Sequence, residues 1–241
     1  MNEKNQLGIN SCFLNLDDPI KLFEIWMEKA KQTEPNDPNA VALGTSNKNN
    51  VPSVRMVLLK GFNKDGFVFY TNLNSRKGNE LKENPNASMC FHWKSLLRQV
   101  RITGTVSLVS DDVADEFYSS RAYESRIGAW ASNQSQELKN RDELINSIKA
   151  YKNKYSDETK VPRPKHWSGW NLNPQNIEFW LDGENRIHER LLYTKSQNGL
   201  WNKSLLSPKK FLAKLKDVSF LRISFSLVSL NTLKEFDAKL I

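Results

Sequence analysis

Cysteine and histidine are scarce in this chain: Cys12 and Cys90, with His92, His166 and His188, are all it has among 241 residues. Two cysteines make no disulfide framework, and three scattered histidines have no metal-ligand spacing. No metal is expected, and redox or group-transfer chemistry here would need an organic cofactor. Long apolar runs are missing too, none approaching the roughly 20 residues that cross a bilayer. The opening MNEKNQLGIN lacks the apolar stretch of a signal peptide. The expectation is therefore a soluble, cytoplasmic protein without a membrane partner. There is no internal repeat, low-complexity tract or evident linker, which favours one main domain.

Net charge, by contrast, is abundant: +8, with a pI near 9.4. That suits an anionic partner, whether nucleic acid, a membrane surface or a phosphorylated small molecule, and charge alone does not choose among them. Basic residues are interspersed with acidic ones and are not gathered with exposed aromatics in one element, which argues against nucleic acid.

DDPIKLFEIWMEKAKQ opens with Asp18 as N-cap and Pro19 at the first helical position. It then places Leu22, Phe23, Trp26, Met27 and Ala30 on one face, an amphipathic helix. AVALGTS, VPSVRMVLLKGF and GFVFYTN read as strands of an antiparallel meander, broken by the turn formers NKNN and NKDG. A short helix, SRKGNELKEN, stops before Pro85, and ASMCFHW and LLRQVRITGTVSLV are two further strands. Helices are expected in SDDVADEFYSSR, YESRIGAWAS and SQELKNRDELINSIKAYKNKY. NIEFWL and RIHERLLY then form a hairpin through Asp182 and Gly183. The fold class is mainly β with added helices, an α+β barrel whose closure removes exposed strand edges.

Several residues invite a ligand. Ser75 caps a helix whose first turn carries Arg76 and Lys77, cations that oppose the helix dipole. Either a phosphate satisfies the free amides and both side chains, or the cations point into water. Arg55 and Lys60 lie on opposite faces of one strand and serve one ligand only if the strand ends or bulges near Lys60. Gln99 is a polar residue inside a strand, and Arg121, Ser125, Gln134 and Ser135 fall near helix ends. In WLDGENRIHER, strict alternation would set Arg186, His188 and Arg190 on one face beside Trp180, a crowding that asks for an anionic or planar ligand.

RMVLLK, FYTNLNSRKGNEL, LRQVRITG, SRIGAWASNQS, IEFW and RIHER occur here in the order and approximate spacing of the pyridoxine/pyridoxamine 5'-phosphate oxidase family, which the chain resembles from about Asp18 to Pro208. The resemblance implies a split β-barrel and a homodimer with flavin mononucleotide (FMN) at the subunit interface. It also implies oxidation of pyridoxine or pyridoxamine 5'-phosphate by O2 to pyridoxal 5'-phosphate and H2O2. By resemblance, Arg55, Arg76 and Lys77 hold the flavin phosphate and ribityl chain, while Met56, Val57, Leu58, Leu59, Lys60, Tyr70 and Thr71 line the flavin. Gln99, Gln134, Ser135, Trp180 and Arg190 complete that site, some from the partner subunit. Lys60, Arg121 and Ser125 meet the substrate phosphate, and Arg186 and His188 lie over the pyridine ring as the catalytic pair.

Departures from the family pattern touch the substrate more than the flavin. Phe117 stands where the family usually has a phosphate-binding Tyr, the basic N-terminal arm is missing, and Leu205 replaces the Arg of the closing Arg-Leu-x-Pro. Residues 209–241 form an extension of unknown role, in which Leu221, Ile223, Phe225 and Leu227 alternate as one extra strand would. Two alternatives stay open: a sister flavin oxidase of phenazine-biosynthesis type, and a flavin- or pyridoxal-phosphate-binding protein without turnover.

Overall fold

The computed structural model describes residues 4–208. The expected domain limit at Pro208 therefore falls on the last of them, and the strand expected over 221–227 lies outside them.

The first helix, α1 (Pro19–Thr33), starts as its sequence dictates. The Asp18 side chain accepts from the Ile20 N–H at 2.9 Å, and Pro19 occupies the position where a missing N–H costs nothing. Its buried face is Leu22, Phe23, Trp26, Met27 and Ala30. Phe23 packs edge-on against Phe62, Phe67 and Phe91, with ring centroids 4.9, 5.0 and 5.2 Å away. The helix thus joins the core that the sheet encloses.

The strands are β1 (Ala40–Ser46), β2 (Pro52–Leu58), β3 (Gly61–Asn63), β4 (Gly66–Asn72), β5 (Asn86–Trp93), β6 (Arg98–Leu108), β7 (Trp167–Leu181), β8 (Glu189–Lys195) and β9 (Trp201–Leu205). All pairings are antiparallel, in the order β2-β1-β5-β6-β7-β4-β3, with β8 joining β7 and β9 joining β8. Strands β2 and β3 end opposite sides of this path, yet only Leu59 and Lys60 separate them in sequence. The sheet must therefore curl until its ends meet: the Leu59 N–H still donates to Asn39 O at 2.9 Å on the β1 side, and the next residue, Lys60, donates to Val68 O at 2.8 Å on the β4 side. This corrects the expected meander: β1–β2 and β3–β4 are separate hairpins on opposite edges. The barrel class itself holds.

The longest strand, β7, extends well beyond the expected NIEFWL. One edge pairs with β6 along its length, while the other pairs with β4 over Trp167–Leu172 and with β8 over Asn176–Leu181. Pro174, which has no N–H to donate, sits in the gap between those partners, opposite a register shift at Thr103/Gly104. There the backbones come so close that a Cβ on Gly104 would lie 2.0 Å from Asn173 O, so only glycine fits.

Helices α2 (Arg76–Glu83), α3 (Asp111–Ser119), α4 (Tyr123–Ala131) and α5 (Arg141–Lys154) fill the connections. Helix α5 starts six residues later than SQELKN implied, because Asn140 is its cap, accepting from the Glu143 N–H at 3.1 Å. No described helix is long and apolar enough to cross a membrane.

Candidate active site

A cavity of about 800 Å³ opens where β2, β4, α2, α3 and α4 approach one another. Of the residues singled out in the sequence, Met56, Val57, Leu58, Lys60, Tyr70, Thr71, Lys77, Phe117, Arg121, Ser125 and Gln134 line it. Lys60 reaches it because β2 ends at Leu58, the condition that strict alternation demanded. Asn72, Ser120, Ser132 and Trp167 line it as well. Asn72 was legible as part of the FYTN run, whereas no local signal marks the other three.

At the α2 end, the Ser75 side chain accepts from the Gly78 N–H at 3.3 Å. Residue 78 must be glycine, since a Cβ would fall 2.4 Å from Leu73 O. Lys77 is only 8% exposed, and its Nζ donates to Thr71 Oγ1 at 3.0 Å and Gln134 Oε1 at 3.1 Å. Burial, aided by the nearby charge of Arg55, lowers its pKa. A buried ammonium whose partners among the described residues are all neutral is a site prepared for an anion.

Arg55 and Arg76 do not line the cavity. Glu80, buried on α2, bridges them: Oε1 accepts from Arg76 Nε at 2.9 Å, and Oε2 accepts from Arg55 Nη2 at 3.2 Å, Thr45 Oγ1 at 2.5 Å and Ser53 Oγ at 2.6 Å. Three cations and one carboxylate leave two net positive charges, which balance the two negative charges of a phosphate monoester dianion. Burial by itself would raise the Glu80 pKa, but hydrogen bonds from Ser53, Thr45, Arg76 and Arg55 outweigh it and hold the carboxyl at about 2. Because that folded value lies below the ordinary 4.5, the cluster stabilises the fold fully above pH 4.5 and loses this effect as pH falls toward 2. Glu80→Gln should flatten this acid dependence, which amounts to about 2 kcal/mol in urea unfolding compared at about pH 7 and pH 3.

At the α3 end, Phe117 lies flat on Tyr70, with centroids 4.0 Å apart at 12°, and Trp167 continues the stack. The Arg121 guanidinium covers Trp167 at 4.6 Å, and its Nη1 is buried without a hydrogen-bond partner among the described residues. Burial lowers its pKa. An arginine N–H that is shielded from water and unpaired is costly unless an anion completes it. Tyr118, next to Phe117 in sequence, faces elsewhere and donates to Arg126 O at 2.9 Å.

The other predicted residues are not here. Leu59 is buried in the core, and Ser135 is exposed in a turn with φ 69°. Gln99, Trp180 and Arg190 form a row across β6, β7 and β8. Tyr70 pairs with Gly169, and Trp180 lies eleven residues farther along the same strand. That is roughly 35 Å of strand. The single-face reading of Arg186, His188 and Arg190 also fails, because β8 begins only at Glu189. Asn185 and Arg186 take left-handed backbone angles in a 3-10 turn, and Arg190 Nε donates to buried Glu178 at 2.7 Å. His188 instead sits against Trp180, with ring centroids 4.7 Å apart.

Residues 27–155 match the family described as pyridoxamine 5'-phosphate oxidase, and residues 167–208 match the pyridoxine 5'-phosphate oxidase C-terminal dimerisation region. A Pelagibacter ubique (strain HTCC1062) protein named pyridoxine/pyridoxamine 5'-phosphate oxidase is 74% identical over 208 residues, covering 86% of this chain and 100% of that one. One of the same name from Chelativorans sp. (strain BNC1) is 50% identical, over 85% of this chain and 97% of its own. Among solved structures, PhzG from Burkholderia lata 383, in complex with tetrahydrophenazine-1-carboxylic acid, superposes with TM-score 0.77 at 27% identity, over 86% of this chain and 100% of that one. A pyridoxamine 5'-phosphate oxidase-related, FMN binding protein from Nostoc punctiforme PCC 73102 shares the fold, with TM-score 0.64 at 17% identity, over 79% and 98% of the two chains. With the curled barrel and the cation-lined cavity, these matches place the chain in the pyridoxine/pyridoxamine 5'-phosphate oxidase family of oxidoreductases.

Proposed function

We propose that the protein is an FMN-dependent oxidase that converts pyridoxine or pyridoxamine 5'-phosphate and O2 to pyridoxal 5'-phosphate and H2O2, the amine route also consuming water and releasing ammonia. The observation that carries this reading is the cavity with an anion-ready cation at each end, Lys77 and Arg121, separated by an aromatic wall. Two phosphate-bearing molecules, a flavin and a pyridine, fit such a pair of ends. Lys77, with Arg76 and Arg55 aligned by Glu80, holds the flavin phosphate, and the Arg55–Lys60 segment, Tyr70 and Thr71 line the flavin. Lys60, Arg121 and Ser125 hold the substrate phosphate, with Phe117 packing beside it. A bound flavin supplies the two-electron acceptor that no side chain here provides.

Gln99, Trp180, Arg186, His188 and Arg190 lie too far along β7 to reach this cavity in their own chain. They complete the cavity of a second copy, so the functional unit is a homodimer with composite sites. Edge strand β2 supports this: Val54, Met56 and Leu58 expose an apolar stripe, with Val54 71% accessible, of the kind that a partner covers. The match of residues 167–208 to a dimerisation region supports it too. Residues 1–208 form the oxidase domain and 209–241 an accessory extension.

Anaerobic mixing of FMN-loaded protein with pyridoxamine 5'-phosphate tests the reading: flavin absorbance should bleach, and oxygen should then restore it with one H2O2 per turnover. Flavin that stays yellow with this substrate but bleaches with a phosphate-free aromatic would assign the chain to the sister oxidases. Flavin inert to both would leave a binding protein.

A further inference from the structure

Glu178 stands two residues before Trp180 on β7, on the same face of the sheet, and is only 6% exposed. Its register partner on β6 is Arg101, and Arg190, opposite Trp180 on β8, lies diagonally across from it. The two arginines divide the carboxylate between them: Oε1 accepts from Arg190 Nε at 2.7 Å, and Oε2 accepts from Arg101 Nη2. Burial alone would raise the Glu178 pKa, but these hydrogen bonds outweigh it and the pKa is lowered. Glu80 is held in the same manner by Arg76 and Arg55 beside the cavity. The fold thus uses one device twice, a buried carboxylate between two arginines with one oxygen for each.

Stability does not account for the device at Glu178, because apolar side chains of similar volume generally serve a fold as well as a buried ion triad. Its effect on Arg190 is specific. Glu178 fixes Nε, Nη1 donates to Ser207 O at 3.3 Å, and the Arg190 carbonyl accepts from the Leu206 N–H at 3.0 Å. Among the described residues nothing accepts from Nη2, so the clamped guanidinium presents that nitrogen to a ligand. A carboxylate paired with Arg190 alone would cancel the charge offered to an anion. Arg101 restores it, since two arginines and one carboxylate leave one net positive charge.

We propose that Glu178 is a positioning residue that fixes the Arg190 guanidinium in the orientation that meets the flavin, with Arg101 keeping the cluster cationic. This rests on the reading that Arg190 completes the flavin site of a second copy.

Titration of FMN into the flavin-free full chain, followed by quenching of flavin fluorescence, separates geometry from charge, because the two predict opposite signs. By charge alone, removing a carboxylate near an anion site tightens binding. If Glu178 acts by holding Arg190, Glu178→Gln, which sets an amide N–H against an arginine, should instead weaken FMN binding about tenfold, the low end for one charge-assisted hydrogen bond. Glu178→Asp keeps the charge but withdraws it by one methylene, and should weaken binding too, where charge alone predicts no change. Arg190→Ala should weaken FMN binding by about 10- to 150-fold. That variant leaves the carboxylate paired with Arg101, so no buried charge is stranded. Glu178→Gln added to Arg190→Ala should cost nothing further, whereas a merely structural role would persist in that background. Sedimentation and urea unfolding verify that each variant is a folded dimer, and Glu178→Asp carries the test should Glu178→Gln not fold. Unchanged or tighter FMN binding by the folded Glu178 variants, or an equal further loss in the Arg190→Ala background, would overturn the proposal. Wild-type affinity in Arg190→Ala would remove Arg190 from the flavin site, and the proposal with it. That outcome is distinct from weak binding by Arg190→Ala beside wild-type binding by Glu178→Gln, which overturns the role of Glu178 alone.

Discussion

Assayed with substrate far below the raised KM of the Arg121→Ala protein, subunits carrying Arg121→Ala, mixed with subunits carrying Arg186→Ala and His188→Asn together, should regain activity that neither preparation shows alone. Each parent dimer breaks both of its sites. In a mixed dimer, one site collects both defects and the other none, because the cavity comes from one chain and the β7–β8 loop from its partner. Random exchange makes half the dimers mixed, each with one intact site of two, so activity should recover to about a quarter of wild type. Native mass spectrometry verifies that subunits have exchanged. Full exchange without recovery would mean that Arg121 and His188 act in the same chain, despite the length of β7 between their ends of the barrel.

Arg121→Ala alone should raise KM for pyridoxamine 5'-phosphate by about 10- to 150-fold, the equivalent of one charge-assisted hydrogen bond. The limiting rate of flavin reduction should hardly change, since the phosphate does not react and its binding is shared by ground and transition states. Arg121→Lys should rescue little. The guanidinium lies on Trp167 at 4.6 Å, a planar stacking that an ammonium on a flexible stem does not reproduce. Steady-state KM measured beside rapid-mixing flavin reduction decides the matter. A collapse of the limiting rate at unchanged KM would move Arg121 from binding to chemistry.

Local features of this fold were readable in advance because their causes are local. Asp18 and Pro19 start α1, Ser75 caps α2, and the end of β2 near Lys60 was framed in the sequence as the condition for that lysine to face a ligand. What escaped depends on partners distant in sequence. Strand order was misread as a meander because nothing in β4 announces that it pairs with β7, about a hundred residues later. The extent of β7 was hidden by Pro174, which reads as a strand breaker until the change of partner at that point excuses it. The site divides in the same way. The cavity residues came from contiguous motifs, but Arg55 turns toward Glu80, an acid in another element. Residues 186–188 were mistaken for the start of a strand because alternation in their sequence is mute about left-handed backbone angles.

Strand β7 also behaves as a gauge block. Its length sets how far the loop at one end stands from the cavity wall at the other, and hence whether two identical chains can exchange those ends in register. Pleating makes this length adjustable only in steps: removing one residue would turn every following side chain to the wrong face, and removing two would restore the faces but shorten the reach by roughly 7 Å. Substitutions at the two exposed positions of β7, Asn173 and Gln175, are therefore open to drift, while insertions and deletions are closed to it. A lineage could vary what this ruler is made of far more easily than how long it is.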